Sequence, residues 1–130
     1  MILHTKKYYK TGELKYEAHF SNDKENGTSK TYYKSGELEA EENYREGKRH
    51  GLTKIYSKLG VLLSKRRYKN GKEHGKAKLY YESGKLECAI NFKNGNAIPG
   101  LFYNEDGTIL RQMTYQDLYF FGLAEIQHKK

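Results

Sequence analysis

The chain has 130 residues and a formal net charge of +8, with a hydrophobic fraction of 36% that is too low for a thick core covered on both sides. Its length favours one domain, no stretch reaches the roughly twenty apolar residues of a membrane-spanning helix, and the first residues lack the apolar segment of a secretion signal. Cys88 is the only cysteine, which excludes an internal disulfide. We therefore expect a cytoplasmic protein, and its positive charge makes an acidic protein, an anionic membrane surface or nucleic acid the partners to consider.

One sequence motif recurs about every twenty-four residues along nearly the whole chain. In each copy a glycine follows a tyrosine by four positions, and an aliphatic and then an aromatic residue stand two and eight positions after the glycine. These glycines are Gly12, Gly36, Gly60, Gly84 and Gly107. A fixed period of this length is typical of arrays in which small units stack on their neighbours. We expect one repeat domain over residues 1–130, with about five hairpin units over 8–122 and a capping strand at 123–128.

The second unit shows how each copy folds. Residues 28–33 are rich in β-branched and aromatic side chains and end at a tight turn, and residues 38–44 make the return strand. Along the return strand apolar and polar residues alternate, which places one face inward and the other in water. Glu42 and its counterpart Arg66 interrupt the apolar face. Successive hairpins predict an all-β fold, an antiparallel meander of about ten or eleven strands in one elongated, twisted sheet.

The connections between units carry their own signals. Asn70-Gly71 and Asn94-Gly95 are typical of type I′ turns, in which both central residues need positive φ. Pro99 is the only proline, and it stands where the period shortens, so we expect a bulge or kink within residues 96–100.

Charge is distributed unevenly between neighbouring units. The acidic strand of the second unit carries Glu37, Glu39, Glu41, Glu42 and Glu46. The basic segment of the third unit carries Lys65, Arg66, Arg67, Lys69 and Lys72. Lysines on the strands beside the acidic one, at Lys30, Lys34, Lys54 and Lys58, predict cross-strand charge pairing. The basic segment could instead meet anionic lipid headgroups.

No catalytic, cofactor or metal site emerges from the pattern. The five histidines are scattered, and the single cysteine lies on the apolar face, where a thiol behaves as a small hydrophobe. A structural zinc site needs several cysteines or histidines at close spacing. Glu41 and Glu42 are adjacent on one strand and point to opposite faces, which excludes joint acid and base work. We predict a protein that is not an enzyme.

Tyrosine is the residue most suited to a binding role here, and the chain has 13 of them. Aromatic rows beside lysines also suit single-stranded nucleic acid, and packing between units is a third interpretation. The candidate partner-binding residues are Tyr9, Tyr33, Tyr81, Arg66 and Arg67, with Tyr119 and Phe120 from an apolar stretch near the C-terminus. For that stretch, capping of the array is the alternative.

The units over residues 27–47 and 75–95 share Tyr-Tyr-x-Ser-Gly-x-Leu followed by aromatic-x-x-Gly. They resemble MORN-variant repeats, in particular those of a bacterial family of antitoxin or immunity components, over residues 8–122. Ser57 and Leu59 in the third unit, and Asn104 and Asp106 in the fifth, depart from that pattern, so we expect less regular hairpins there.

The resemblance implies a β-hairpin array with a binding role and transfers no catalytic residue. From it we expect a protein, monomeric when free, that binds and neutralises a cognate protein toxin without a cofactor. A scaffold or an anionic-lipid-binding protein at the membrane surface is the alternative. Nucleic acid is the least favoured partner, since only the +8 charge and the aromatic residues point to it.

Overall fold

The computed structural model describes residues 2–119, which form one open antiparallel sheet. In chain order the strands are β1 (Ile2–Tyr8), β2 (Leu14–Ser21), β3 (Lys24–Glu25), β4 (Gly27–Tyr32), β5 (Leu38–Arg45), β6 (Lys48–Arg49), β7 (Gly51–Tyr56), β8 (Leu62–Lys69), β9 (Lys72–Glu73), β10 (Gly75–Tyr80), β11 (Leu86–Lys93), β12 (Asn96–Tyr103) and β13 (Ile109–Gln112). Ten strands pair in sequence order, and the two-residue strands β3, β6 and β9 pair beside them. The all-β meander predicted from the repeat is confirmed.

The turn within each hairpin is the same in all five units and is held by backbone atoms. The N–H of the repeat glycine donates to the carbonyl three residues earlier, and that earlier residue donates to the carbonyl four residues ahead of it. In the third unit Gly60 donates to Ser57, and Ser57 donates to Val61, each at 2.9 Å. The fifth unit has the same pair of bonds around Asn104. The expectation of less regular hairpins in these two units is therefore wrong, because the bonds do not depend on the side chains that differ.

The connections between units adopt the predicted turn conformation. Asn70 and Gly71 have φ values of 49° and 88°, and Asn94 and Gly95 have 51° and 87°. Positive φ at both central positions matches a type I′ turn. Asp23, which stands in the glycine position of the first connection, also has a positive φ of 67°.

A bulge lies at the single proline, as predicted. Ala89 of β11 is opposite Leu101 of β12, and Asn91 is opposite Ile98. Between these two pairs β12 advances by three residues while β11 advances by two, so β12 contains one extra residue. The two strands approach closely at the bulge, and a Cβ on Gly100 would stand 1.8 Å from the carbonyl oxygen of Ala89. Only glycine fits at this position without moving the backbone.

The face that carries the apolar positions of the return strands is the more buried one, and we call it the inner face. Its buried hydrophobic residues are Ala18, Tyr68, Ala77, Cys88, Ile90 and Met113. Four of them form one cluster, Ala77, Cys88, Ile90 and Met113, against which Leu118 also packs. The face assignment made from alternation is confirmed, and the apolar core lies in the fourth and fifth units rather than at the middle of the array.

Residues 115–119 form one helical turn after the last strand, which the sequence pattern did not predict. The Asp117 carboxylate accepts the Thr114 N–H at 2.7 Å, and Arg111 donates to the same carboxylate at 2.9 Å. These bonds, the Arg111 one foremost, hold the pKa of Asp117 well below its usual value. The predicted capping strand at 123–128 lies outside the described residues. Over residues 2–119, no helix is long and apolar enough to cross a membrane.

Candidate partner-binding surface

Three of the candidate tyrosines connect one unit to the next. The hydroxyl of Tyr9 donates to the carbonyl of Tyr32, that of Tyr33 to Tyr56, and that of Tyr81 to Tyr103, each at 2.6 Å. All three tyrosines are half-buried. We call these inter-unit bonds tyrosine staples. Because they join units and occupy the hydroxyls, they give these residues a structural role, and a contact with a partner stays a prediction.

The third unit has no tyrosine at the staple position. Ser57 stands there, is buried, and its hydroxyl accepts the N–H of Val61 within its own turn at 3.2 Å. Burial, and then the charge of nearby glutamates, raises the pKa of Tyr33 and of Tyr81. Lys58, the cation next to Ser57, lies with its ammonium 5.8 Å from the centre of the Tyr33 ring.

The middle of the inner face is polar, and its charged groups pair with one another. Arg49 donates through Nε to a Glu42 carboxylate oxygen at 3.1 Å, and the Tyr44 hydroxyl donates to the same oxygen at 2.6 Å. In the next unit the charges are reversed, and Arg66 donates to Glu73 at 2.6 Å. The interruptions of the apolar face by Glu42 and Arg66 are thus matched by opposite charges from the neighbouring two-residue strands.

Burial perturbs several groups on this face without making them reactive. Burial and the hydrogen bond to Glu42 raise the pKa of Tyr44 to about 12, and burial with the bond to Glu25 does the same for Tyr16. Burial also raises the pKa of the Cys88 thiol to about 12. A thiol that stays protonated and is 1% exposed is a poor nucleophile. No group of three metal-ligating side chains occurs within residues 2–119.

The basic segment of the third unit is divided between the two faces of the sheet. Arg66 is 5% exposed and lies on the inner face, bound to Glu73 and, at 3.3 Å, to the hydroxyl of Ser64. Arg67 is exposed on the opposite, outer face. The two arginines predicted as partner contacts therefore do not share a surface. Tyr119 is 62% exposed on the helical turn, and Phe120 lies outside the described residues.

On the outer face, one row of residues crosses the whole sheet in register. The row runs Lys6, Glu17, Lys30, Glu41, Lys54, Lys65, Lys78, Ala89, Leu101 and Gln112. Its first five members alternate in charge, and Lys30 and Lys54 stand opposite Glu41 on either side. The predicted register around the acidic strand is therefore present for these two lysines, but none of the ion pairs within residues 2–119 joins either of them to Glu41.

The next part of the same row is uniformly basic. Lys54, Lys65 and Lys78 are consecutive neighbours on β7, β8 and β10, and we call them the lysine block. None of the ion pairs found within residues 2–119 involves a member of the block. All three side chains are half-buried, so their stems pack along the sheet while their charges reach solvent.

The lysine block was missed at the sequence level, although a signal for it is present. Lys54 and Lys78 occupy the same position in successive units, and Lys65 occupies the position that Glu41 holds one unit earlier. Recognising the block requires knowing that these two repeat positions face each other across strands. The predicted pairing around Glu41 uses the same facing of positions, and the block follows when it is extended one unit along the chain to Lys65.

Stacked hairpins joined by staples, with paired charges inside and an uneven charge row outside, define a β-hairpin repeat protein. The model of the MORN repeat variant matches residues 3–22, 25–46, 49–70, 73–94 and 99–117. The chain belongs to the MORN repeat variant family. No curated protein matches the chain. Its five matched repeats support a binding or scaffold module.

Proposed function

We propose that this protein is a non-catalytic, cytoplasmic binding module that acts as the antitoxin or immunity partner of a cognate bacterial toxin. The observation that carries the proposal is the regular array of five MORN-variant units, which presents an extended surface. The choice of a toxin as partner rests on the resemblance of units such as residues 27–47 to the repeats of bacterial antitoxins.

The physical argument concerns which surfaces remain available. On the inner face the charged groups bind each other, as Glu42 does with Arg49 and Arg66 with Glu73. On the outer face the lysine block has charges without carboxylate partners among the described residues. The backbone bonds of the turns and the tyrosine staples constrain the sheet before a partner arrives, which reduces the conformational entropy lost on binding. These features favour docking of a folded protein on the outer face.

The alternative is a scaffold or an anionic-lipid-binding protein that uses the basic segment of the third unit. Headgroup binding needs these cations on one accessible surface. Arg66, at the centre of that segment, is buried and paired, which leaves Lys65 and Arg67 on the other face. The burial of Arg66 removes one cation from such a surface, and we favour a protein partner because the repeats resemble those of bacterial antitoxins.

Co-expression with the product of the adjacent gene tests the proposal. If that product is a toxin, growth of the host should stop when it is expressed alone and recover when this protein is present. The two chains should also co-purify as a complex of nanomolar affinity or tighter, as sustained protection requires. Failure to restore growth, together with salt-sensitive binding to phosphatidylserine vesicles or oligonucleotides, would overturn the proposal.

A further inference from the structure

The lysine block is electrostatically unfavourable for the isolated sheet. Like charges directly opposite each other on neighbouring strands repel and destabilise the pairing. The fold itself does not require a lysine at Lys65, because the equivalent position one unit earlier is Glu41. Lys30, which lies between Glu17 and Glu41, shows the arrangement in which opposite charges alternate. The third and fourth units therefore carry a charge arrangement that their own folding does not explain.

We propose that the lysine block is a docking surface for an acidic patch on a folded partner protein. This inference rests on the proposed function, and it adds the location of the interface and the chemistry of the partner. Arg67 follows Lys65 by two residues on β8 and Lys76 precedes Lys78 by two on β10, so both extend the positive surface on the same face. Carboxylates placed against these cations would remove the repulsion within the sheet.

The size and the borders of the block favour a protein patch over a long polyanion. Lys54 and Lys78, at the two ends of the block, lie two strand spacings apart, a distance of about 10 Å. On one side the row returns to alternating charge at Glu41, and on the other it continues with uncharged Ala89, Leu101 and Gln112. A nucleic acid strand laid along the row would meet Glu41 and Glu17 within two units. A compact acidic patch beside an apolar contact fits both borders.

The test compares two single substitutions that remove the same charge. Lys65→Gln removes a lysine between two lysines, and Lys30→Gln removes one between two glutamates. The binding partner is the adjacent gene product that co-purifies with the wild-type protein. We expect Lys65→Gln to raise the dissociation constant by about tenfold or more and Lys30→Gln to change it by less than about twofold.

The melting temperature of the free protein and the salt dependence of binding distinguish a lysine that contacts the partner from one that only supports the fold. Lys65→Gln should raise the melting temperature of the free protein, because it relieves repulsion, while Lys30→Gln should lower it slightly. Raising sodium chloride from about 0.05 to about 0.5 M should weaken wild-type binding more than binding by Lys65→Gln. Lower stability together with weaker binding in Lys65→Gln would show that the lysine acts through the fold, and would overturn the inference.

The remaining outcomes separate this inference from the proposed function. An intact complex with equal affinity for both variants would overturn the inference and leave the proposed function standing. If the adjacent gene product does not bind at all, the proposed function fails, and a polyglutamate peptide, oligothymidine and phosphatidylserine vesicles then serve as probes. Binding of polyglutamate that Lys65→Gln weakens and Lys30→Gln preserves supports an acidic partner. Preference for oligothymidine or vesicles overturns it.

Discussion

Tyr33 illustrates how a single side chain contributes to the repeat beyond its own unit. Its hydroxyl donates to the Tyr56 carbonyl at 2.6 Å, close to the register shift that ends the β7–β8 pairing. A carbonyl near the end of a strand has fewer partners from the ladder, so a side-chain donor there satisfies a backbone group and couples two units at once. The equivalent bonds from Tyr9 and Tyr81 explain why the second tyrosine of the pair recurs.

Tyr33→Phe should lower the free energy of unfolding by about 1 kcal/mol, because the ring is retained while the donor to a partly buried carbonyl is lost. Tyr8→Phe is the control, since Tyr8 is 58% exposed. Urea denaturation followed by far-ultraviolet circular dichroism measures both. Equal losses in the two variants would show that the staple bond adds nothing to the coupling of the units.

At the scale of the element, the hairpins are specified by backbone conformation more than by side-chain contacts. The turns keep their two hydrogen bonds in the third and fifth units, where Ser57 and Asn104 replace tyrosine. The bulged β12 differs because there the constraint is steric. Gly100 is needed for the close approach of β12 to β11, whereas Gly12 is needed for its φ of 104°.

Gly100→Ala should therefore destabilise the protein by about 3 kcal/mol or more, since a Cβ would collide with the Ala89 carbonyl and neither backbone can give way cheaply. Gly12→Ala is the matched control. No atom lies within 4 Å of its added Cβ, and its cost of about 1–2 kcal/mol should come from the left-handed conformation alone. Thermal and urea unfolding of the two variants measure the difference. A loss at Gly100 no larger than that at Gly12 would contradict the steric account.

The elements and their faces could be predicted because their causes are local and repeated. Positive φ at Asn70-Gly71 and alternation along residues 38–44 each follow from a few adjacent residues. The lysine block was missed because Lys65 was grouped with the basic residues that follow it along the chain, whereas the block forms across three strands. The helical turn at residues 115–119 was missed because its support is tertiary: Leu118 packs on the apolar cluster, and Asp117 binds Arg111 of β13.

At the scale of the whole molecule, the two halves of the described sheet are held together differently. The fourth and fifth units share the apolar cluster of Ala77, Cys88, Ile90 and Met113. The second and third units depend more on the pairs Glu42–Arg49 and Arg66–Glu73. The attraction within a buried ion pair offsets little more than the cost of removing its two charges from water, whereas the burial of apolar surface lowers the free energy of the folded state. In a repeat array each unit contacts only its neighbours, so this difference in packing should remain local.

Amide hydrogen exchange should therefore be graded along the array. We expect the slowest exchange in β10 and β11, which contribute three of the four cluster residues, and the fastest in β1, an edge strand whose Ile2 is 80% exposed. Exchange followed by mass spectrometry of peptic peptides at neutral pH resolves these segments. Ile90→Ala should erase much of the gradient, because it removes the largest fully buried side chain of the cluster and speeds exchange in β10 and β11 most. Equal protection from β1 to β11 in the wild-type protein would mean that the sheet opens only as one cooperative unit, and the division into a polar and an apolar half would have no energetic meaning.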